Sequence, residues 1–329
     1  MSDELDELTN RLQESANVDP TSLGEHPRYS QYKNQTKAAE QQAQRRQDAL
    51  DRHAEGRFNK LMELRNLAGC ETTDEEDYDV EDEQEQEGQD DGLYSHRNRR
   101  TAKKYADQLM LSEWLVDIPE SLSTEWTMVA APIGRRVLVV ASRGKTSTYN
   151  KAGRLIYQFQ SKLPGGNVRG KHTYTILDCI YVDKVYYVLD ILCWNEKEYA
   201  ENPFDFRMYM LKSLMDESPE IGQSTKQFKY PFKNLPRCPC SVEEMERMLS
   251  QPQSFHVDGL LFYHNTVVYE PGQSPLVGWL KPWMMPEILN VKIHKEYQRN
   301  EKGQKTLEFI ETYNKEHGHS SKIDRSMEH

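Results

Sequence analysis

Val257-Asp-Gly-Leu-Leu-Phe-Tyr-His264 and Pro275-Leu-Val-Gly-Trp-Leu-Lys-Pro282 decide how this chain folds. The first reads as a buried strand, an unbroken run from Leu260 to Tyr263 behind an acidic mouth at Asp258. A hairpin leads to the second, where Gly278, Trp279 and Lys281 sit together. Working outward, Met128–Ile133, Val137–Ala141, Leu155–Phe159, Tyr174–Val182 and Val185–Trp194 are further β-branched or aromatic runs, with a tight reversal at Asp183-Lys184. Leu163-Pro-Gly-Gly-Asn167 reads as a surface loop. Asp205–Met215 has helical character, and Ser241-Val-Glu-Glu244 is a capping box opening another helix. Many strands with interspersed helices predict an α+β domain of largely antiparallel sheets.

Mean hydropathy of -0.87 and 29% charged residues are too polar for one compact globule of 329 residues. The net charge of -11 is uneven: Glu71–Asp91 carries thirteen acidic residues and no Lys or Arg, leaving about +2 elsewhere. That run reads as a solvated, disordered linker, and the remainder suits an anionic partner. No repeat of 30 to 50 residues is present, which disfavours a solenoid receptor. Five cysteines (70, 179, 193, 238 and 240) lack zinc-site spacing. Cys238-Pro-Cys240 with His256 has no completing pair, so no metal is expected. With no long apolar run and no signal-peptide core, a reducing nucleocytoplasmic setting is expected.

Four regions follow: 1–69, polar and helix-permissive; 70–98, the acidic linker; 99–293, the strand-rich domain; and 294–329, a charged tail, helical or disordered. Lys37–Leu67 reads as one long helix ending at Gly69, and its thin apolar stripe requires a partner. Cations are spread over Arg28, Lys33, Lys37, Arg45, Arg46, Arg52, Arg57, Lys60 and Arg65. Alone they describe a solvated helix. Leu5, Leu8 and Leu12 form a short amphipathic stripe of a common kind.

Two strands with a Lys beside a Trp are similar to the guanosine pocket of covalent nucleotidyltransferases. Those enzymes also need a nucleophilic lysine in Lys-x-Asp-Gly-x-Arg to form a phosphoramidate. The corresponding place here is Ala131-Pro-Ile-Gly-Arg-Arg136, with alanine at the lysine position. An active guanylyltransferase or ligase is the alternative reading; Lys145 and Lys151 lie in loop-like surroundings that would need a new geometry.

The chain resembles the snurportin family. The resemblance rests on His26–Lys33, Gln108–Leu115, Val140–Gly144, Tyr174–Tyr181, Val257–His264 and Pro275–Pro282 in this order. It implies a capping-enzyme (guanylyltransferase)-like cap-binding domain without catalytic residues or cofactor, and a 2,2,7-trimethylguanosine cap as ligand. Importin-β would bind the N-terminal helix through Arg28, Lys33, Lys37, Arg45, Arg46, Arg52, Arg57 and Lys60. A leucine-rich export receptor would contact Met1, Leu5, Leu8 and Leu12. A monomer shuttling between nucleus and cytoplasm is implied. At matching positions Trp279 becomes the base-stacking residue and Ser112 with Trp114 the pocket edge. Arg135, Arg136 and Val137 become phosphate or ribose contacts, and Lys151 a further polar contact. The sequence departs from the family where Arg45-Arg46, beside Gln41, Gln42 and Gln44, replaces a denser arginine run.

The chemistry agrees with several of these roles. A 7-methylguanine is cationic, and stacking on an indole is worth ~1–3 kcal/mol. Gly278 beside Trp279 permits close approach; Trp126 and Trp194 read as core. A doubly methylated N2 has no hydrogen to donate, so the pocket should lack a strong acceptor there. Asp258 either faces that pocket or bonds the adjacent turn. Neighbouring strand residues point oppositely, so one of Arg135 and Arg136 reaches a ligand through its side chain.

Overall fold

The computed structural model describes residues 35–55, 60–69, 104–298 and 305–317. The leucines at 5, 8 and 12, Met1, Arg28, Lys33, Arg57 and the acidic linker lie outside them. Among the described residues twelve strands are formed: β1 (Met110–Trp114), β2 (Trp126–Pro132), β3 (Arg135–Ser142), β4 (Lys145–Tyr149), β5 (Leu155–Phe159), β6 (Tyr174–Val182), β7 (Val185–Trp194), β8 (Lys197–Glu198), β9 (Phe232–Asn234), β10 (Arg237–Pro239), β11 (Val257–His264) and β12 (Gly272–Leu280). The helices are α1 (Gln35–Glu55), α2 (Lys60–Ala68), α3 (Leu122–Glu125), α4 (Phe204–Glu217), α5 (Val242–Leu249), α6 (Met285–Ile288) and α7 (Thr306–His317).

The strands make two sheets, one ordered β1-β12-β11-β2-β10 and the other β5-β4-β3-β6-β7-β8, with β9 beside β7. The α+β expectation with antiparallel pairing holds, except that β1 runs parallel to β12 and β9 parallel to β7. Neither pair is joined by a hairpin, so neither is constrained to be antiparallel. β11 and β12 form the expected hairpin pair, with Leu261 opposite Trp279.

Three hairpins of the second sheet close through two residues in left-handed conformation: Arg143-Gly144, Asp183-Lys184 and Asn195-Glu196. That geometry matches the twist of the flanking strands. The Pro164–Asn167 loop is less superficial than its composition suggests. Leu163 is fully buried, and a side chain on Gly165 would meet the Ala141 and Thr173 carbonyls at 2.5 Å. α5 opens with the N-cap half of the capping box, Ser241 Oγ accepting from the Glu244 N–H at 3.4 Å, while the Glu244 carboxylate pairs with Arg247.

Two buried ion pairs tie the layers together. Asp178 on β6 takes Arg136 Nε at 3.1 Å and Nη2 at 2.7 Å, and also accepts from the Tyr269 hydroxyl at 2.8 Å. Asp190 on β7 accepts both Arg207 Nε and Nη2 at 2.8 Å, while Arg207 Nη1 donates to the Asn202 and Val267 carbonyls. Burial pushes the Asp178 carboxyl up; Arg136 and then Tyr269 pull it back. Such pairs fix geometry more than they add stability.

The N-terminal helices lie against this domain. The long helix expected over Lys37–Leu67 is described in two pieces, with Leu64, Leu67 and Ala68 of α2 buried and Gly69 in the expected left-handed conformation. α1 packs beside β12. Within the stretch expected as a tail, α7 buries Ile310. Among the described residues no helix is long and apolar enough to cross a membrane, and no group of three metal-ligating side chains occurs.

Candidate functional site: a closed pair of tryptophans between the sheets

β1 and β12 set the site. Trp114 and Trp279 are neighbours in the parallel ladder, and the Leu115 N–H donates to the Trp279 carbonyl at 3.1 Å. Directly paired residues share a face, so both indoles lie on one side of the sheet. Gly259, diagonal to Trp279, and its partner Ala131 belong to that side. The Trp279 ring fills the space a side chain on Gly259 would need: a Cβ there would stand 2.1 Å from Cζ2 and 2.2 Å from Cη2. No residue other than glycine leaves room for the indole against the strand.

Trp279 is buried, with only 1% of it accessible. The Lys281 ammonium stands 5.5 Å from its ring centroid, a cation–π distance. Asp258 in turn accepts from Lys281 Nζ at 2.6 Å through Oδ1, while its Oδ2 is buried without a donor among the described residues. Burial pushes the Asp258 carboxyl up, and Lys281 opposes this. Ser112 and Trp114 are both buried on β1 and share a face. Trp114 meets Phe309 and Tyr313 of α7 edge-on, at centroid distances of 6.2 and 5.4 Å. Its indole N–H is buried without an acceptor among the described residues.

Arg135 and Arg136 part as strand geometry demands. Arg136 turns between the sheets, donating to Asp178 and to the Met110 carbonyl of β1, and so braces the strand that carries Ser112 and Trp114. Arg135 is exposed, and its cross-strand partner Tyr181 places it on the other face. Val137 is buried on that same other face, away from the Arg136 side chain. Lys151 follows β4, where its carbonyl accepts from the Asp107 N–H at 2.9 Å. Of the seven residues assigned to the cap, the fold thus aligns Ser112, Trp114, Arg136 and Trp279. Arg135 and Val137 are not in that group.

The basic helix α1 makes a second constellation. Gln42 Nε2 donates to the Trp114 carbonyl at 2.8 Å, and its Oε1 accepts from the Asp117 N–H at 3.0 Å. Arg46 Nη1 donates to the Asp117 carboxylate at 2.8 Å, while Nη2 donates to the Asp117 carbonyl and to Gln42 Oε1. Arg45 pairs with Glu113. Burial lowers the Arg46 pKa, and the Asp117 hydrogen bond opposes it. Lys37, Arg52 and Lys60 belong to α1 and α2, and Arg52 Nε donates back to the Asp48 carbonyl at 3.3 Å. Sequence reasoning missed Gln42, Glu113 and Asp117; the one signal was Gln42 and Arg46 spaced one helical turn apart.

An α+β domain of two sheets, with two tryptophans paired on neighbouring strands of one of them, is the class this geometry describes. A family model described as Snurportin1, m3G cap-binding domain, matches residues 108–282, over half of the chain, and a second, described as Snurportin1, matches residues 26–66. The chain belongs to the Snurportin1 family and carries its m3G cap-binding domain. Among solved structures it is similar to a mycobacterial DNA ligase D complexed with ATP and MES (12% identity, 52% of this chain and 58% of that one, TM-score 0.35). It is also similar to the ATP-dependent DNA ligase of bacteriophage T7 in complex with ATP (11%, 54% and 69%, TM-score 0.37) and the Chlorella virus DNA ligase-adenylate (12%, 53% and 69%, TM-score 0.34). The chain spans about three-fifths of the first of these, and TM-scores so low assign it no chemistry.

Proposed function

We propose that this protein reads the 2,2,7-trimethylguanosine cap of small nuclear RNAs without chemistry and links the ribonucleoprotein to importin-β for nuclear import. The observation that carries the reading is the Trp114–Trp279 pair beside Ala131. Two indoles offer the stacking surface a cationic base needs. A methyl group stands at the place a nucleotidyltransferase fills with its nucleophile, and a methyl group cannot attack a phosphate. Membership of the Snurportin1 family supports the same ligand. In this closed form Trp279 must leave its seat over Gly259, or the groups covering it must move, before a base stacks on it.

Importin-β would take α1 and the basic residues preceding it. Arg45 and Arg46 are engaged by Glu113 and Asp117, so that complex requires these carboxylates to be exchanged for acidic groups of the receptor. An export receptor binding Met1, Leu5, Leu8 and Leu12 would return the protein to the cytoplasm, giving residence in both compartments.

Titration of tryptophan fluorescence with trimethylguanosine and monomethylguanosine cap dinucleotides tests the reading. Wild type should prefer the trimethyl cap, and Trp279→Ala should weaken it about 5- to 150-fold, the equivalent of ~1–3 kcal/mol per stacked base. Equal binding of both caps, or an unaffected variant, would overturn it. A covalent nucleotidyl-protein formed with labelled GTP and Mg²⁺ would do so as well.

A further inference from the structure

α7 lies outside the segment matched by the cap-binding family model, yet it is fastened to the site. At its first turn the Thr306 N–H and hydroxyl both donate to Glu287 Oε2 of α6, at 3.0 and 2.6 Å. A carboxylate at a helix N-terminus is favoured by the helix dipole as well as by these bonds. Thr306, Phe309, Ile310 and Tyr313 recur at helical spacing, so one face of α7 turns to the domain. Ile310 is buried on that face. Phe309 meets Trp283 edge-on at 5.4 Å, and both Phe309 and Tyr313 meet Trp114 at close to right angles. The two α7 rings are themselves stacked, 6.1 Å apart.

Resting on the cap-binding reading above, we propose that α7 is the outer wall of the cap site. Phe309 and Tyr313 are positioning residues that hold the Trp114 indole at the angle bound cap requires. The alternative use of such a helix is as a plug that occupies the site and competes with the cap. The buried Trp114 N–H separates the two. A helix imitating the ligand would supply an acceptor to that N–H, because a buried donor without one is costly. Among its described residues α7 brings no acceptor to it. A wall leaves the N–H, buried in this closed form, to be satisfied by the ligand once the site opens, and the ligand's carbonyl, ribose and phosphate oxygens are all acceptors.

The test uses the full-length chain and the trimethylguanosine cap dinucleotide, with binding read by fluorescence quenching well below the unfolding midpoint. Phe309→Ala and Tyr313→Ala should each weaken cap binding about 2- to 10-fold, the range for loss of one edge-to-face aromatic partner. Tyr313→Phe, which keeps the ring, should restore wild-type affinity. Glu287→Gln, which loosens the anchor and touches no ring, should weaken binding in the same direction. A merely structural role would lower the unfolding midpoint in the alanine variants without changing the cap dissociation constant of the folded protein. Unchanged affinity in both alanine variants would therefore overturn the proposal. Tighter binding would overturn it too, by making α7 a plug. If wild type itself fails to bind the cap, the cap-binding reading fails, a result distinguishable from failure of α7 alone.

Discussion

Replacing Asp117 by asparagine removes one charge from the clasp on α1 and leaves its shape. The backbone N–H of residue 117 still donates to Gln42, and its carbonyl still accepts from Arg46. What is lost is the ionised partner of an Arg46 guanidinium that is itself buried, at 2.8 Å. A hydrogen bond to a charged group is worth roughly 1.5–3 kcal/mol. The Asp117 side chain is 28% exposed, so solvent screening brings the figure to about 1–2 kcal/mol. At 1.4 kcal/mol per factor of ten, α1 should leave the sheet about 5- to 30-fold more often. An undocked α1 has too thin an apolar stripe to remain helical, so undocking exposes its amides. Hydrogen exchange read by mass spectrometry should show faster exchange across 35–55, with peptides of β6 and β7 unchanged. Exchange in 35–55 within twofold of wild type would refute the reasoning, and acceleration in β6 and β7 would show general destabilisation instead.

Gly259→Ala forces Trp279 out of its seat, because the added methyl would fall about 2 Å from the ring. Overpacking of this kind costs about 1–3 kcal/mol, seen as a lower unfolding midpoint with shifted tryptophan emission. Asp190→Ala leaves the buried Arg207 charge unpaired and should cost about 3–5 kcal/mol in denaturant unfolding. Burial pushes the Cys193 and Cys238 thiols from 9.0 up to about 12, so both should resist iodoacetamide at pH 8 until the protein unfolds. The folded protein holds these protons more tightly than the unfolded chain. Their contribution to stability is therefore full below pH 9 and lost as pH rises toward about 12, a decline that denaturant midpoints between pH 8 and 11 should follow.

The parts of the fold that sequence disclosed are those where the signal is local. β6, Asp183-Lys184 and β7 were legible because apolar runs and a two-residue reversal sit side by side, and the Ser241–Glu244 cap because its partner is three residues away. β4 was not legible, since Lys-Thr-Ser-Thr-Tyr has the composition of a loop. It is buried nevertheless, with Thr146 sharing a 2.7 Å hydrogen bond with Ser161 that hydropathy cannot register. In the site, Trp279 and Trp114 were legible through family resemblance. The burial of Trp279 was not, because it depends on the empty side-chain position of a glycine on another strand. Gln42 was illegible for the same reason: a glutamine on a charged helix reads as solvated until its partners at 114 and 117 are brought to it.

The parallel pairing of β1 with β12 also governs when the site comes into being. The second sheet grows from neighbouring hairpins, each able to form as soon as its own residues leave the ribosome, because short loops close at little entropic cost. Trp114 emerges early in the domain and waits for Trp279, near its end, before either has its ladder neighbour. A nascent or truncated chain ending before β12 therefore has a nearly complete second sheet and no paired indoles. Any recognition that depends on that pair is withheld until translation of the domain is finished.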